Sequence, residues 1–491
     1  MLNRFKSAVN TVVTGIAQLD RQGPEAIGFQ EYYAEEATAG PLKFPYSRPE
    51  FLQLNSDEVQ VSADHVSRPI LVPRDISRIP WSAGYAEVIN AGKSHFNEDQ
   101  AHADTFFVRQ SLSTRGLSPP AARRQSFEEV AEDPLPFTYF AIFDGHAGSG
   151  CAVVAVHMLH SIIQEKLCQI RDMILLRRYG YPSGEERQRT YLTDKSDQID
   201  IDDLVTGALE AAFFKMDKII YEEKQHYDIS GGCTALVAVF FLGKLYVANA
   251  GDSRAVIARG NDVIPMSQDF TPESERERLR LLGFLCPDLL QNEFTHLEFS
   301  RRVTRGDIGR KVLCRNARMK GWTLKSVTPE DARYPLIAGE GKKARLLATI
   351  GVTRGFGDHD LTVGNSTIHI KPFLTPAPEV NIYELQGRGL TENDVLIMGT
   401  DGLWDVTSNK RAADIVQSSL KQFDVSERAR YTSAAQDLVM NARGLLKKGW
   451  RTVDDNMASG DDITAFVIPL HHYSSAPVEP KPEVESSLEM S

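Results

Sequence analysis

Short apolar blocks punctuate this chain, and several of them stop at, or start from, an acidic residue. Tyr139-Phe140-Ala141-Ile142-Phe143 stops at Asp144-Gly145-His146. The block at 245–250 stops at Gly251-Asp252-Ser253, and that at 395–400 at Asp401-Gly402. Asp461-Asp462 opens the block 463–468. Runs this short, bounded by turn residues, read as buried strands. Further strands are expected between Trp81 and Asp104, around the acidic pair Glu98-Asp99, and from Gly231-Gly232-Cys233-Thr234 to Phe241. Strands are also expected at 255–258 and 346–352, with a tight hairpin at Gly243-Lys244. Helical spacing appears at Val153, Val154, Val156, Leu159, Ile162, Ile163 and Leu167. It recurs at Leu204, Ala208, Ala211, Ala212, Met216 and Ile219, and over 409–446.

The ends of the chain read differently. Leu2, Phe5, Val9, Val12, Val13, Ile16 and Leu19 fall within an arc of about 120° at 100° per residue. Asn10, Thr11 and Thr14 interrupt any secretory core, so residues 1–22 read as an amphipathic helix rather than a signal peptide. Its β-branched residues and Gly15 make it weak in water. Two readings stand: peripheral contact with a membrane surface through residues 2–19, or docking on the chain's own domain. Residues 23–80 read as an extended arm, partly ordered against the domain. Residues 109–136 and 177–200 read as polar insertions, the first holding the kinase-site-like Arg123-Arg124-Gln125-Ser126. Residues 266–345 are long, charged and irregular, and read as a flap subdomain. Residues 471–491 read as a disordered tail.

A carboxylate at a strand end sits at the rim of the core, rigid and partly shielded from water. Several converging there repel one another, and divalent cations with hard oxygen ligands relieve that repulsion. The strand-end aspartates therefore predict a carboxylate-held magnesium or manganese centre. The hydrophobic fraction of 42% over 491 residues suffices for a large core. A net charge of -11 argues against a general nucleic-acid binder. The five cysteines are widely spaced, without C-x-x-C, which fits free thiols in a reducing, cytoplasmic setting and no zinc site. No apolar stretch reads as long enough to span a bilayer.

In order, the motifs are Asn97-Glu98-Asp99, Phe143-Asp144-Gly145-His146-Ala147-Gly148, Gly231-Gly232-Cys233-Thr234-Ala235, Ala250-Gly251-Asp252-Ser253-Arg254, Thr353-Arg354-Gly355-Phe356-Gly357-Asp358, Thr400-Asp401-Gly402-Leu403-Trp404-Asp405 and Gly460-Asp461-Asp462-Ile463-Thr464. Each alone is an ordinary turn signal. Together, from about Trp81 to Leu470, the set resembles the metal-dependent type 2C protein phosphatases, the PPM family of Ser/Thr phosphatases. The stretch 84–93 and the long flap look most like that family's H/J/M branch.

The resemblance implies an α+β fold: an αββα four-layer sandwich of two antiparallel sheets flanked by helices, spanning 81–470. It implies two Mg2+ or Mn2+ ions, with Asp144 bridging them and Gly145 giving a carbonyl ligand. By the same match Glu98 serves one ion, Asp401 and Asp461 the other, and Asp252 with Asp401 a third, weaker site. Asp99 and Asp462 belong behind the ligands. The implied activity is hydrolysis of phosphoserine and phosphothreonine in proteins by a metal-bridging hydroxide, with His146 as general acid. None of the cysteines sits in the C-x5-R loop of the cysteine phosphatases.

The match has departures. Where many members carry a phosphate-clamping Arg, four residues before the Glu, this chain has Ser94. Lys93 is the nearest cation and takes the phosphate-binding role as a point charge, without the bidentate fork. Asp462 stands where the family often has Asn. Arg354 and Asp358 read as structural braces. The flap's Arg301-Arg302, Arg305, Arg310-Lys311 and Lys342-Lys343 are either readers of acidic protein surface or a solvated face. Two rival functions stay open: a catalytically silent, membrane-associated scaffold, and a small-phosphoester phosphatase. The scaffold reading expects lost metal carboxylates, and all of those expected are present.

Overall fold

The computed structural model describes residues 41–109, 134–179, 200–364, 366–447, 449–452 and 455–474. The expectations for segment 2–19, for the arm up to residue 40, for residues 110–133 and 180–199 of the insertions, and for the tail from residue 475 lie outside the described residues.

The strands of the main body, in chain order, are β1 (Gly84–Val88), β2 (Gln100–Val108), β3 (Leu135–Phe143), β4 (Gly145–His146), β5 (Gly232–Cys233), β6 (Ala235–Phe241) and β7 (Lys244–Ala250). They continue with β8 (Arg254–Arg259), β9 (Asp262–Pro265), β10 (Phe356–Gly357), β11 (Glu379–Glu384), β12 (Val395–Gly399) and β13 (Ile463–Pro469). The helices are α1 (Ser56–Ser62), α2 (Gly150–Tyr179), α3 (Ile201–Glu223), α4 (Arg276–Leu285), α5 (Asp401–Trp404), α6 (Asn409–Leu420) and α7 (Arg430–Arg443).

One sheet runs β11-β7-β6-β3-β2 and the other β1-β13-β12-β8-β9. Every pairing within both is antiparallel. Strand β3 shows why its apolar run does not alternate. Its Phe137, Tyr139, Ala141 and Phe143 pack with residues of α2 and α3, including Leu159, Phe213 and Met216. Phe140 and Ile142 point the other way and pack with Tyr85, Leu396 and Phe466 of the second sheet. A strand buried on both faces needs apolar side chains at every position. On the far side, Val256, Ile397 and Val467 pack with Val416 of α6 and Leu438 of α7. Each large side chain buried in these layers is worth about 1.5–3 kcal/mol against leaving it exposed. The layers are therefore helix, sheet, sheet, helix.

Two sequence expectations change here. By length and composition the stretch Gly150–Leu175 of α2 is apolar enough to cross a membrane, with mean hydropathy 1.2. Its apolar side chains, among them Val154, Leu159, Ile163 and Leu167, are instead part of the core against the first sheet. The strand expected at 346–352 shrinks to Arg345–Leu346, paired with Ile337–Ala338. The chain then turns, with Leu347 and Ala348 at φ 48° and 54°. Leu346, Leu347 and Val352 belong to the flap's own core with Leu279, Phe294, Leu336 and Phe373. A buried turn and a buried strand look alike in hydropathy.

The described part of the arm, residues 41–80, is anchored to the domain. Asn55 caps α1 in a reciprocal box with Glu58. Arg48 forms a two-pronged ion pair with Glu87 of β1, at 2.7 and 2.6 Å, with both side chains buried. Arg68 is also wholly buried and donates to the carbonyls of Ile89, Ser459 and Asp461, each at 2.7 Å.

Candidate active site

At one end of the sandwich, strand ends deliver acidic side chains to a single cleft of about 410 Å3. Asp144 follows β3, Asp252 follows the turn after β7, Asp401 opens α5 after β12, and Asp461 lies just ahead of β13. All four line the cleft, together with Lys93, Gly145 and His146. Carboxylate oxygens of Asp144, Asp252 and Asp401 lie within 4.8 Å of one another, and all three residues are half-buried.

Burial raises the Asp144 carboxyl well above its ordinary range, and Asp401, Asp99, Asp252 and Asp461 raise it further. Asp252 is raised by burial, then by Asp401 and Asp269. Asp401 is pushed up to about 7 by burial and then by Asp461 and Asp405. A cluster that resists ionisation this strongly is what a divalent cation relieves. The donor set is all oxygen, which suits magnesium or manganese. The residues present therefore fit the implied metal.

Glu98 is not among the residues that line the cleft. Its Oε1 accepts from the Gly148 amide at 2.6 Å, and its own amide donates to Asp462 Oδ2 at 3.0 Å. Gly145 packs so close to Glu98 that a Cβ there would lie 2.4 Å from the Glu98 carbonyl oxygen. Asp462 is a bracket: its Oδ1 accepts from the Asn90 amide at 2.8 Å and from Asn90 Nδ2 at 3.0 Å. Burial lifts Asp462 to about 6 despite those bonds. Asp99 is buried, its Oδ2 accepting from Thr400 Oγ1 at 2.9 Å. Burial, then Asp462, holds its carboxyl well above the usual range.

Lys93 reaches Asp461 Oδ2 at 2.6 Å. Burial alone would lower its pKa, but Asp461, with Asp401 and Asp144, raises it above the ordinary lysine range. Ser94 is no clamp; its hydroxyl donates to the Phe96 carbonyl at 2.7 Å. Arg354 is the brace expected of it, with Nη2 at 2.7 Å from Glu275 Oε1 and its guanidinium over the Phe270 ring. Asp358 is not only a brace. Its Oδ2 lies 2.7 Å from His146 Nε2.

On the flap side, Lys342 and Arg345 line the cleft. Lys342 Nζ donates to the Asp405 carboxylate and carbonyl, both at 2.8 Å. Arg48 and Arg68, neither of them foreseen, hold the backbone behind the acidic residues. Arg48 Nη1 donates to the carbonyls of Asn97 and Asp99, either side of Glu98. Arg68 holds Asp461 as described above. Their only trace in sequence was a positive charge within the stretch read as an arm.

A family model described as Protein phosphatase 2C matches residues 108–305 and 336–444. Protein phosphatase 1H of Homo sapiens is 47% identical over 96% of this chain and 99% of that protein. The chain belongs to the protein phosphatase 2C family. Protein phosphatase 1J of Rattus norvegicus is 43% identical, covering 96% of this chain and 98% of that protein. These relatives put the chain in the H/J branch of the PPM phosphatases, whose activity is metal-dependent removal of phosphate from serine and threonine in proteins. The crystal structure of serine-threonine phosphatase 2C from Toxoplasma gondii covers 82% of this chain and 99% of that one, at 17% identity and TM-score 0.38. The gap in the family match, 306–335, falls inside the flap.

Proposed function

We propose that this phosphatase binds Mg2+ or Mn2+ on its strand-end carboxylates and cleaves phosphoserine and phosphothreonine esters with His146 as general acid. The observation that carries this reading is the Asp144, Asp252 and Asp401 cluster within 4.8 Å, opening onto a cleft that His146 also lines. In this reading Asp144, Gly145, Glu98, Asp401 and Asp461 would hold two ions, and Asp252 with Asp401 would hold a third, weaker one. When bound, the ions supply Lewis acidity that makes water a nucleophile near neutral pH and neutralises phosphoryl charge.

The chain's own residues do the rest. Asp99 and Asp462 sit behind the ligands and fix the loops that present them. Lys93 balances charge at Asp461. His146 delivers a proton to the departing serine or threonine oxygen, a step worth about 10²- to 10⁴-fold. Phosphoproteins are the substrate class this reading favours, with Lys342 and Arg345 on the flap wall of the cleft. The cytoplasmic setting rests on cysteine usage alone.

The test compares phosphate release from phosphothreonine peptides with release from small phosphomonoesters of cell metabolism, both with Mn2+. Higher kcat/KM on the peptides is expected. Preference for the small esters would replace the protein-substrate reading.

A further inference from the structure

We infer that Asp358 is a positioning residue for the phosphatase reaction. It grips His146 by Nε2 and leaves Nδ1 as the nitrogen that faces the substrate. This inference rests on the reading of His146 as the acid.

A small three-stranded sheet, β10-β5-β4, brings the two residues together. Its register places His146 opposite Gly232 on one side and Gly357 opposite Gly232 on the other. His146 and Asp358 thus come from distant parts of the chain and meet across one glycine. A Cβ on Gly232 would lie 2.2 Å from Asp358 Oδ2 and 2.7 Å from His146 Nε2. Only a residue without a side chain leaves room for the pair.

Asp358 is also held against its own backbone preference. Its φ is 55°, a region that non-glycine residues adopt at a cost. Such a conformation persists where neighbours over-determine it, and here they do. Asp217 of α3 is buried, and its Oδ1 accepts from the Gly357 amide at 2.9 Å and from His359 Nε2 at 3.1 Å. Its Oδ2 accepts from Lys371 Nζ at 2.7 Å. Asp217 therefore pins the residues on both sides of Asp358. The Asp358 amide donates to the Gly231 carbonyl at 3.3 Å. The Asp358 side chain is 5% exposed and that of His146 30%. The carboxylate is hidden, and the imidazole opens to the cleft.

The chemistry follows. Water gives one proton to solvent as its oxygen bonds to phosphorus, the ester P–O bond breaks, and the bond's electron pair stays on the serine or threonine oxygen. The proton on His146 Nδ1 moves to that oxygen, and the imidazole is left neutral until solvent reprotonates it. A carboxylate on Nε2 fixes the plane of the ring and the nitrogen it turns toward the cleft. Asp358 never touches the substrate.

The test uses Asp358→Asn and His146→Ala in the full chain, with Mn2+, on two substrates. A phosphothreonine peptide expels an alkoxide that needs the proton. p-Nitrophenyl phosphate expels a stable phenolate that does not. Asp358→Asn should lower kcat on the peptide by about 10-fold or more with KM little changed, while kcat on p-nitrophenyl phosphate stays within about twofold. Equal losses on both substrates, or loss on neither, overturn the inference. If Asp358→Asn fails to fold, Asp358→Ser is read the same way. A leaving-group bias in His146→Ala without one in Asp358→Asn sinks this inference alone. No bias in His146→Ala sinks the acid reading beneath it.

Discussion

Lys93 Nζ lies 2.6 Å from Asp461 Oδ2, so a cation lining the cleft is paired with an expected metal ligand. A positive charge there opposes divalent binding by about 1 kcal/mol at water-like screening, or roughly fivefold. Lys93→Met should therefore lower the Mn2+ concentration for half-maximal activity by a few-fold. An unchanged metal requirement with a raised KM for phosphopeptide would return Lys93 to phosphate binding.

Arg48 and Glu87 form a fully buried pair joining the arm to β1. Leaving one charge of such a pair alone costs about 3–5 kcal/mol. Arg48→Ala or Glu87→Ala should lose about that much in chemical denaturation. A loss under about 1 kcal/mol would show that water reaches the site and the pair is not the anchor described.

His102 of β2 stacks on His160 of α2, with ring centroids 4.6 Å apart and planes 5° from parallel. His102 Nε2 is buried without a partner. Burial, followed by His160 and His157, pushes His102 down to about 4. The fold therefore holds a neutral ring that the unfolded chain would protonate near 6.5. The sign follows from proton counts: stability is full above about 6.5 and falls as pH drops toward 4. The wild type should lose on the order of 2–3 kcal/mol across that window from this residue. His102→Phe keeps the stack without the charge and should flatten that part of the profile. Parallel profiles for the two proteins would contradict the assignment.

Gly402, just after Asp401, sits against β13. A Cβ there would lie 1.9 Å from the Asp462 carbonyl oxygen. Backbone cannot yield as a side chain can, so Gly402→Ala should cost about 1–3 kcal/mol and raise the metal requirement. Thermal melting and Mn2+ titration read both. A variant with unchanged melting and metal response would show slack that this packing does not have.

The central strands were legible where both faces are buried, because a strand covered on both sides needs an unbroken apolar run such as 139–143, while their arrangement as a sandwich came only with the family resemblance. The motif aspartates were legible for the same reason: each sits where such a run stops or starts. Strand 346–352 was misread because its apolar residues fill the flap core from a turn. Arg48 and Arg68 stayed hidden because they act through backbone carbonyls distant in sequence, which leave no spacing pattern. Asp358 stayed hidden because its link to His146 exists only once β4, β5 and β10 pair around Gly232.

Hydrolysis is expected to depend on cations held by acidic side chains that separate strands bring together. Titrating Mn2+ into metal-stripped protein while following phosphate release from a phosphothreonine peptide tests this most directly, in the wild type, Asp144→Asn and Asp401→Asn. The wild type should be silent without metal and switch on with Mn2+, and both variants should remain at least about 10²-fold slower at saturation. Full activity in stripped wild type, or variants that match it, would contradict the account.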